Sequence, residues 1–324
     1  MFGRPLLWTS VSLASLALLL PAGASAQTDG TAQSETATNG TVTAELSYVI
    51  RTRGRGRFQF DEYANFRVKV TRAGVVLYDQ PVGDPCEQFC TPTETALTRK
   101  HLALRDLNAD GEPEAIVGLF TGGANCCVLV LAYGYDGPAN VYRRARLDTG
   151  GGYMARDLGD DGVIELVGDD FRFRGLFTCG ACGPRPIRIW HYGLRRFEVV
   201  TGDFPAKIRS HARRMRRFYL RVRRRDEAAF VKGALTPYAA DLCVLGRCGA
   251  GFRVVRGAIR RGELGRRSPF DVSPLGLDYL RALKRFLRRT GYLAKGPVRG
   301  CGALRSHSDP TTPNPHFTAA GRPS

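Results

Sequence analysis

The sequence predicts an α+β protein: an N-terminal antiparallel β-repeat domain, built as partial propeller-like blades or an open β-sandwich, followed by a basic C-terminal α-helical domain. Three observations carry that expectation. Between residues 42 and 203 the apolar residues fall in short β-branched or aromatic runs separated by Gly, Asp and Pro. After Asp203 the apolar spacing switches to three and four residues, the period of a helix. The charge switches at the same place. Residues 1–200 carry 21 basic and 22 acidic side chains, a net of −1, whereas residues 201–324 carry 27 and 8, a net of +19. At 43% hydrophobic and 24% charged, the 324-residue chain is neither disordered nor collagen-like.

Residues 1–26 have the three parts of a secretory signal. Arg4 supplies the positive start, residues 10–20 (SVSLASLALLL) an apolar core, and residues 24–26 (ASA) a small-residue cleavage site. That core is short for a membrane helix, and no later stretch approaches the roughly 20 apolar residues a span requires. The expected location is secreted or extracellular, with no integral span after cleavage. All nine cysteines (Cys86, Cys90, Cys126, Cys127, Cys179, Cys182, Cys243, Cys248 and Cys301) follow the signal, so disulfides are their default state. Cys179 and Cys182 lack a second pair at zinc-site spacing. Cys126 and Cys127 lie in an apolar strand-like run, where alternation sends neighbours to opposite faces and hence to different partners.

Residues 27–41, small and polar, are expected to be a flexible linker. Strands are expected at 43–50, 66–70, 75–78, 115–120, 128–133, 165–168, 187–192 and 197–200, with a hairpin around Arg72, Ala73 and Gly74. They make up a β-repeat domain over residues 42–203. The helical domain spans 204–295. Ile208, Ala212, Met215, Tyr219 and Val222 form one apolar stripe on an otherwise Arg-rich helix. Pro237 is placed in the first turn of a second helix reaching residue 245, and Phe252, Val255 and Ile259 mark a third. Ser273 and Pro274 open a fourth, with Leu277, Leu280, Leu283 and Leu287 toward the core and Gly291 as its stop. Residues 296–324 are a Cys-containing, Pro-rich disordered tail.

An internal repeat carries the chemistry. RDLNADGEPEAIVG at residues 105–118 aligns without a gap with RDLGDDGVIELVGD at residues 156–169, an offset of 51. In the first copy Asp106, Asn108 and Asp110 place oxygens at alternate positions, and Gly111 permits a sharp turn. The carbonyl of Glu112 and the carboxylate of Glu114 can complete a shell for a hard divalent cation. The second copy offers Asp157, Asp161, the carbonyl of Val163, and Glu165, with Gly159 where the first has Asn108. The cofactor these residues point to is Ca2+, neutralising clustered carboxylates and fixing the loop between strands.

The D-x-N-x-D-G-x-x-E loop running into AIVGLF resembles the FG-GAP or VCBS repeat of integrin-type propellers and secreted bacterial proteins. The resemblance covers about residues 95–200. It implies β-blades with calcium held by Asp106, Asn108, Asp110, Glu112 and Glu114, and by Asp157, Asp161, Val163 and Glu165. Gly159 departs from the motif, and residues 42–203 hold about three units where closed propellers use four or more. The helical half lies outside the resemblance.

Arginine pairs and triplets recur after residue 212, at 213–214, 216–217, 223–225, 260–261, 266–267 and 288–289. Such clusters attract polyanions, and for an exported protein these are anionic envelope polymers or other polyanions. Tyr219, Phe252, Phe286 and Tyr292 share the helical spacing of the leucines and are expected in the core. The five histidines form no His-x3-His pair and no G-x-S-x-G elbow is present. The expected function is therefore a secreted, calcium-stabilised binding or envelope-associated module. The alternative is a secreted hydrolase whose site the sequence does not display, and oligomeric state is left open.

Overall fold

The structure is a computed structural model and describes residues 30–83, 86, 89–123, 126–180, 183–224, 228–265 and 274–293. The expected signal, the tail, the Ser273 cap and two of the cysteines, Cys182 and Cys301, lie outside these residues.

The first strand, β1 (Thr31–Asn39), corrects the expected flexible linker. Its residues pair in unbroken register with β2 (Val42–Arg53), from Thr31 opposite Ile50 to Asn39 opposite Val42. The strand reads as polar because it is a sheet edge, where threonine's β-branch suits the pleat and few side chains are buried. One inward residue, Glu35, accepts the backbone N–H groups of His101 (3.3 Å) and Leu102 (3.2 Å), which ties this edge to the next sheet. β3 (Phe60–Arg72) and β4 (Val75–Pro81) complete the first sheet, in order β1-β2-β3-β4. Their turn has φ of 47° at Ala73 and 80° at Gly74, and two successive positive φ values match the strand twist of a tight hairpin.

The second sheet contains β5 (Thr91–Pro92), β6 (Leu102–Arg105), β7 (Glu114–Phe120), β8 (Val128–Asp136) and β9 (Val141–Asp148). The third contains β10 (Met154–Arg156), β11 (Glu165–Asp169), β12 (Ile187–Gly193) and β13 (Arg196–Val199), in that order. Every pairing is antiparallel, and the sheets are open.

The second sheet lies between the other two and is buried on both faces. From β7 and β8, Ala115, Val117, Leu119, Leu129 and Leu131 pack with Val42, Leu46 and Val68 of the first sheet. The alternate residues Ile116, Val130 and Ala132 pack with Leu166, Trp190 and Tyr192 of the third. This double burial explains the continuous apolar runs of β7 and β8, since neither face has to meet water. Each large side chain so buried contributes about 1.5–3 kcal/mol. Gly134 is required by the packing: a Cβ there would sit 2.2 Å from the Tyr192 hydroxyl oxygen.

Four helices follow: α1 (Pro205–Arg224), α2 (Ala228–Val244), α3 (Cys248–Arg260) and α4 (Gly276–Arg289). The predicted stripe of α1 is buried as expected, together with His211. Pro237 is a correction, because α2 begins nine residues earlier and carries the proline inside. Val231, Ala234, Leu235, Ala239 and Ala240 are all buried around it, so tertiary packing outweighs the lost backbone hydrogen bond. Leu277 is a second correction. It is 58% exposed, while Tyr279, Leu280, Leu283, Phe286 and Leu287 form the buried face of α4. Gly291, at φ 83°, terminates that helix.

The helices do not close their core alone. The segment between β11 and β12 inserts Phe173 and Phe177 among them. The Phe173 ring meets Phe286 edge-on at 4.8 Å and Tyr292 at 5.3 Å, and Phe177 meets Tyr279 at 5.1 Å. Disulfides join Cys86 to Cys90, Cys126 to Cys127, and Cys243 to Cys248, and Cys179 is also disulfide-bonded. The Cys126–Cys127 bond corrects the expectation of separate partners. Both residues precede β8 and lie outside any strand, so strand alternation does not apply to them.

Asp170, 1% exposed, joins the third sheet to the helices. Its Oδ2 accepts hydrogen bonds from Arg172 Nη2 (2.6 Å), Arg188 Nη1 (2.9 Å) and the Tyr292 hydroxyl (2.9 Å). Arg172 also donates to the carbonyl of Thr290 (3.2 Å), just past α4. Burial pushes this carboxyl up, but the hydrogen bonds and charges of Arg172 and Arg188 outweigh it and hold it below its usual range. Its contribution to stability is therefore complete above the unfolded-state pKa and is lost as pH falls through the lower folded value. Asp170→Asn should cost about 3–5 kcal/mol at pH 7 by leaving the guanidiniums without their counter-charge. Urea unfolding would show a gap between wild type and variant that narrows on acidification; an equal gap at pH 7 and pH 2 would contradict this account.

Candidate functional site

The two Asp-rich segments are the β6–β7 and β10–β11 connections, and they are hydrogen-bonded alike. Gly111 N donates to Asp106 Oδ2 (2.8 Å), as Gly162 N does to Asp157 Oδ2 (2.9 Å). Glu112 N donates to Asp110 Oδ1 (2.8 Å), as Val163 N does to Asp161 Oδ1 (3.1 Å). Leu107 N donates to Glu114 Oε2 and Leu158 N to Glu165 Oε2, both at 2.8 Å. Each turn needs positive φ twice, at Ala109 and Gly111 in one and at Asp160 and Gly162 in the other. The loops also lie side by side. Ile164 N donates to the carbonyl of Leu107 (2.9 Å), and a Cβ on Gly162 would stand 3.4 Å from that of Ala109.

The expected ligand set is only partly assembled. Asp106, Asn108 and Asp110 share one turn, with Asn108 Nδ2 donating to Asp110 Oδ2 (2.8 Å). Asn108 Oδ1 is then left buried with no hydrogen-bond partner, the one orphaned oxygen of the loop and a position a cation would satisfy. The Glu112 carboxylate, which is separate from the backbone carbonyl expected as a ligand, pairs with Arg72 of β3, whose guanidinium also covers the Tyr135 ring at 4.6 Å. Glu114 is buried at the start of β7. Burial first, and the charges of Asp110 and Asp106 next, push its carboxyl up to about 8 against the opposing Leu107 hydrogen bond.

In the second loop Gly159 offers no side-chain oxygen. Burial pushes Glu165 up, while backbone N–H donors led by Gly162 hold Asp157 down. Among the described residues no three His, Cys, Asp or Glu side chains converge as a metal-holding group. The first loop carries side-chain oxygens at Asp106, Asn108 and Asp110 on one turn. The second lacks the middle donor and does not fit the full shell.

Two further groups escape the sequence. His211 Nδ1 lies 2.6 Å from Asp241 Oδ2, with side chains 3% and 1% exposed. Asp241 also accepts the backbone N–H of Ile187, so the pair locks α1 and α2 to the start of β12. Burial raises the Asp241 carboxyl, and His211 opposes that shift. Closed to solvent, the pair offers no surface on which a hydrolase could seat its substrate. A lone carboxylate in the mostly apolar α2, and a histidine beside the apolar stripe of α1, were the available signals. The other missed group is Asp170, whose partner beyond α4, Tyr292, lies 122 residues away.

Removing Asp106 strips Asn108 N and Gly111 N of their acceptors, and removing Asp157 does the same to Asp161 N and Gly162 N. With a chelator present, Asp106→Ala and Asp157→Ala should each lower stability by about 1–3 kcal/mol. Because the loops share a hydrogen bond, the double variant should depart from additivity by about 0.5 kcal/mol or more. Thermal unfolding measures both; unchanged midpoints would mean that these carboxylates do not organise the turns.

No family model matches the chain, and no solved structure matches it. A probable thylakoid lumen protein of Synechocystis sp. is 29% identical over 161 residues, a stretch covering 48% of this chain and 46% of that protein. The chain thus spans about half the length of the curated relative it matches. Among the described residues no helix is long and apolar enough to cross a membrane.

Proposed function

We propose that the protein is an exported, disulfide-containing binding module that holds calcium in its first Asp loop and contacts polyanions through its helical domain. Export is supported by the signal-like first 26 residues, by disulfides that persist in oxidising compartments, and by similarity to a lumenal protein. The polyanion reading is carried by one observation: the helices expose arginines that have no carboxylate partner among the described residues. Arg209, Arg213, Arg216, Arg253 and Arg260 are exposed, and no ion pair involves them. A polyanion bound through several arginines releases counterions in proportion to the contacts it makes. Binding of the mature chain to a heparin surface should therefore weaken linearly in log–log form as salt rises, and a flat response would refute the reading.

Calcium has a narrower role, which is to stabilise. Asp106, Asn108 and Asp110 would hold it, with the carbonyl of Glu112 and the carboxylate of Glu114 closing the shell. The buried, unpartnered Asn108 Oδ1 supports this assignment for the first loop. Calcium at a hundred times its dissociation constant should add about 2.7 kcal/mol of stability. Calorimetry and thermal unfolding with calcium or a chelator test this directly. Asn108→Ala should abolish the calcium response and leave the chelated midpoint nearly unchanged; a response that survives in this variant would remove the first loop as the site.

A further inference from the structure

α1 and α3 flank α2 and leave between them a cleft of about 690 Å³. Its α1 wall carries Arg209, Arg213, Arg216 and Arg223, spaced so that all four fall on one face. That row runs about 21 Å along the helix. The opposite wall carries Arg253 and Arg260, two turns apart on α3, with Arg247 and Arg261 at its two ends. The floor is apolar, formed by residues such as Ala212, Leu242 and Val254. Among the described residues eight guanidiniums line the cleft, and no carboxylate does. Glu263, an acid among the described residues that touches this lining, is already held by Arg261 (2.7 Å), Arg223 (3.2 Å) and the Tyr219 hydroxyl (2.6 Å).

Facing rows of like charge repel across a cleft, so the arrangement is relieved only by an anion between them. The guanidinium fork matches phosphate oxygens bidentately. A single phosphate would engage one or two arginines and leave the rest opposed, whereas a row of about 21 Å suits an extended chain. The cationic surface is concave, so it receives a strand and cannot enter the groove of a duplex as a convex helix does. Tyr219 and Tyr238, the aromatic residues of the lining, are 3% and 7% exposed and offer no platform for stacking bases. Residues 294–324 bring Lys295, Arg299, Arg305 and Arg322 against Asp309 alone, so the chain's own tail does not supply the counter-charge.

We propose that the cleft between α1 and α3 binds an extended, base-free chain of phosphates of the polyphosphate type. The proposal rests on the polyanion reading above and adds the site and the ligand class. The mature chain is titrated with inorganic polyphosphate at several salt concentrations, alongside heparin, single-stranded DNA and orthophosphate. The triple variant Arg213→Gln, Arg216→Gln, Arg253→Gln is compared with the charge-matched triple Arg57→Gln, Arg217→Gln, Arg285→Gln. All six side chains are exposed, and equal unfolding midpoints confirm that both triples fold.

The cleft triple should bind polyphosphate roughly tenfold or more weakly and lose about 2 from the log–log salt slope, at about 0.7 per phosphate contact. The control triple should change affinity by less than about twofold, because its arginines lie outside the contacts that set the slope. Equal losses in the two triples would overturn the cleft while leaving the polyanion reading standing, and failure of every polyanion to bind would end both. Orthophosphate binding as tightly as the polymer, or single-stranded DNA binding more tightly, would overturn the ligand class. Low-salt self-association that the cleft triple abolishes would instead assign the cleft to the acidic loops of a second copy.

Discussion

A carboxylate withdrawn from water beside two guanidiniums fixes how the two halves of this chain meet. Asp170 stands where the third sheet ends and the segment that enters the helical core begins. Its oxygens are shared among a neighbour two residues away, a strand residue and a tyrosine beyond α4. A charge at that depth is tolerated only when its partners are in place, so the contact demands one arrangement of sheet and helices. Phe173 and Phe177 then follow into the helical core because Asp170 has set the direction of the chain. His211 with Asp241, closing on the N–H of Ile187, secures the same junction from the helical side.

Much of this fold was legible from periodicity. β7 and β8 of the middle sheet and the stripe of α1 follow directly from apolar spacing, because they are buried along regular faces, whereas β5, β6 and β9 of that sheet were not expected. The misses share a physical cause, which is that local composition and periodicity do not register the deciding interaction. β1 reads as a linker because an edge strand exposes most side chains, and its pairing energy resides in backbone hydrogen bonds that composition does not register. Pro237 reads as a helix start because the usual cost of an interior proline is local, while the burial that offsets it comes from other helices.

The candidate site was legible to a similar depth. The alternating oxygens of residues 106–110 and the 51-residue offset identified both loops, and their matching hydrogen bonds follow from the matching residues. What the sequence could not display was competition for the ligands. One oxygen of Glu114 is taken by the N–H of Leu107, and the Glu112 side chain, though not its carbonyl, is held by Arg72 forty residues upstream. Spacing rules count oxygens, but which oxygens remain free is set by tertiary neighbours. The cleft was hidden for the same reason, since only the packing of α1 and α3 on opposite flanks of α2 brings their arginines to face one another.

Composition accounts for the choice of arginine over lysine in the cleft. A chain with 42 Arg and 6 Lys would place about seven arginines in any eight basic positions, so eight in the cleft departs little from composition. Arrangement carries the inference instead. Spacings of four, three and seven put one row on one face of α1, next to the buried stripe but rotated from it by a single residue. Long aliphatic stems can then lie on the apolar floor while the charged heads stay in water. Solvated helix faces ordinarily intersperse both signs, and i,i+4 acid–base pairs stabilise them. From Phe204 to Arg224, α1 carries no acid at all. Apart from Arg223, which Glu263 holds, the cleft row of α1 keeps its mutual repulsion, and a partner of opposite charge relieves it.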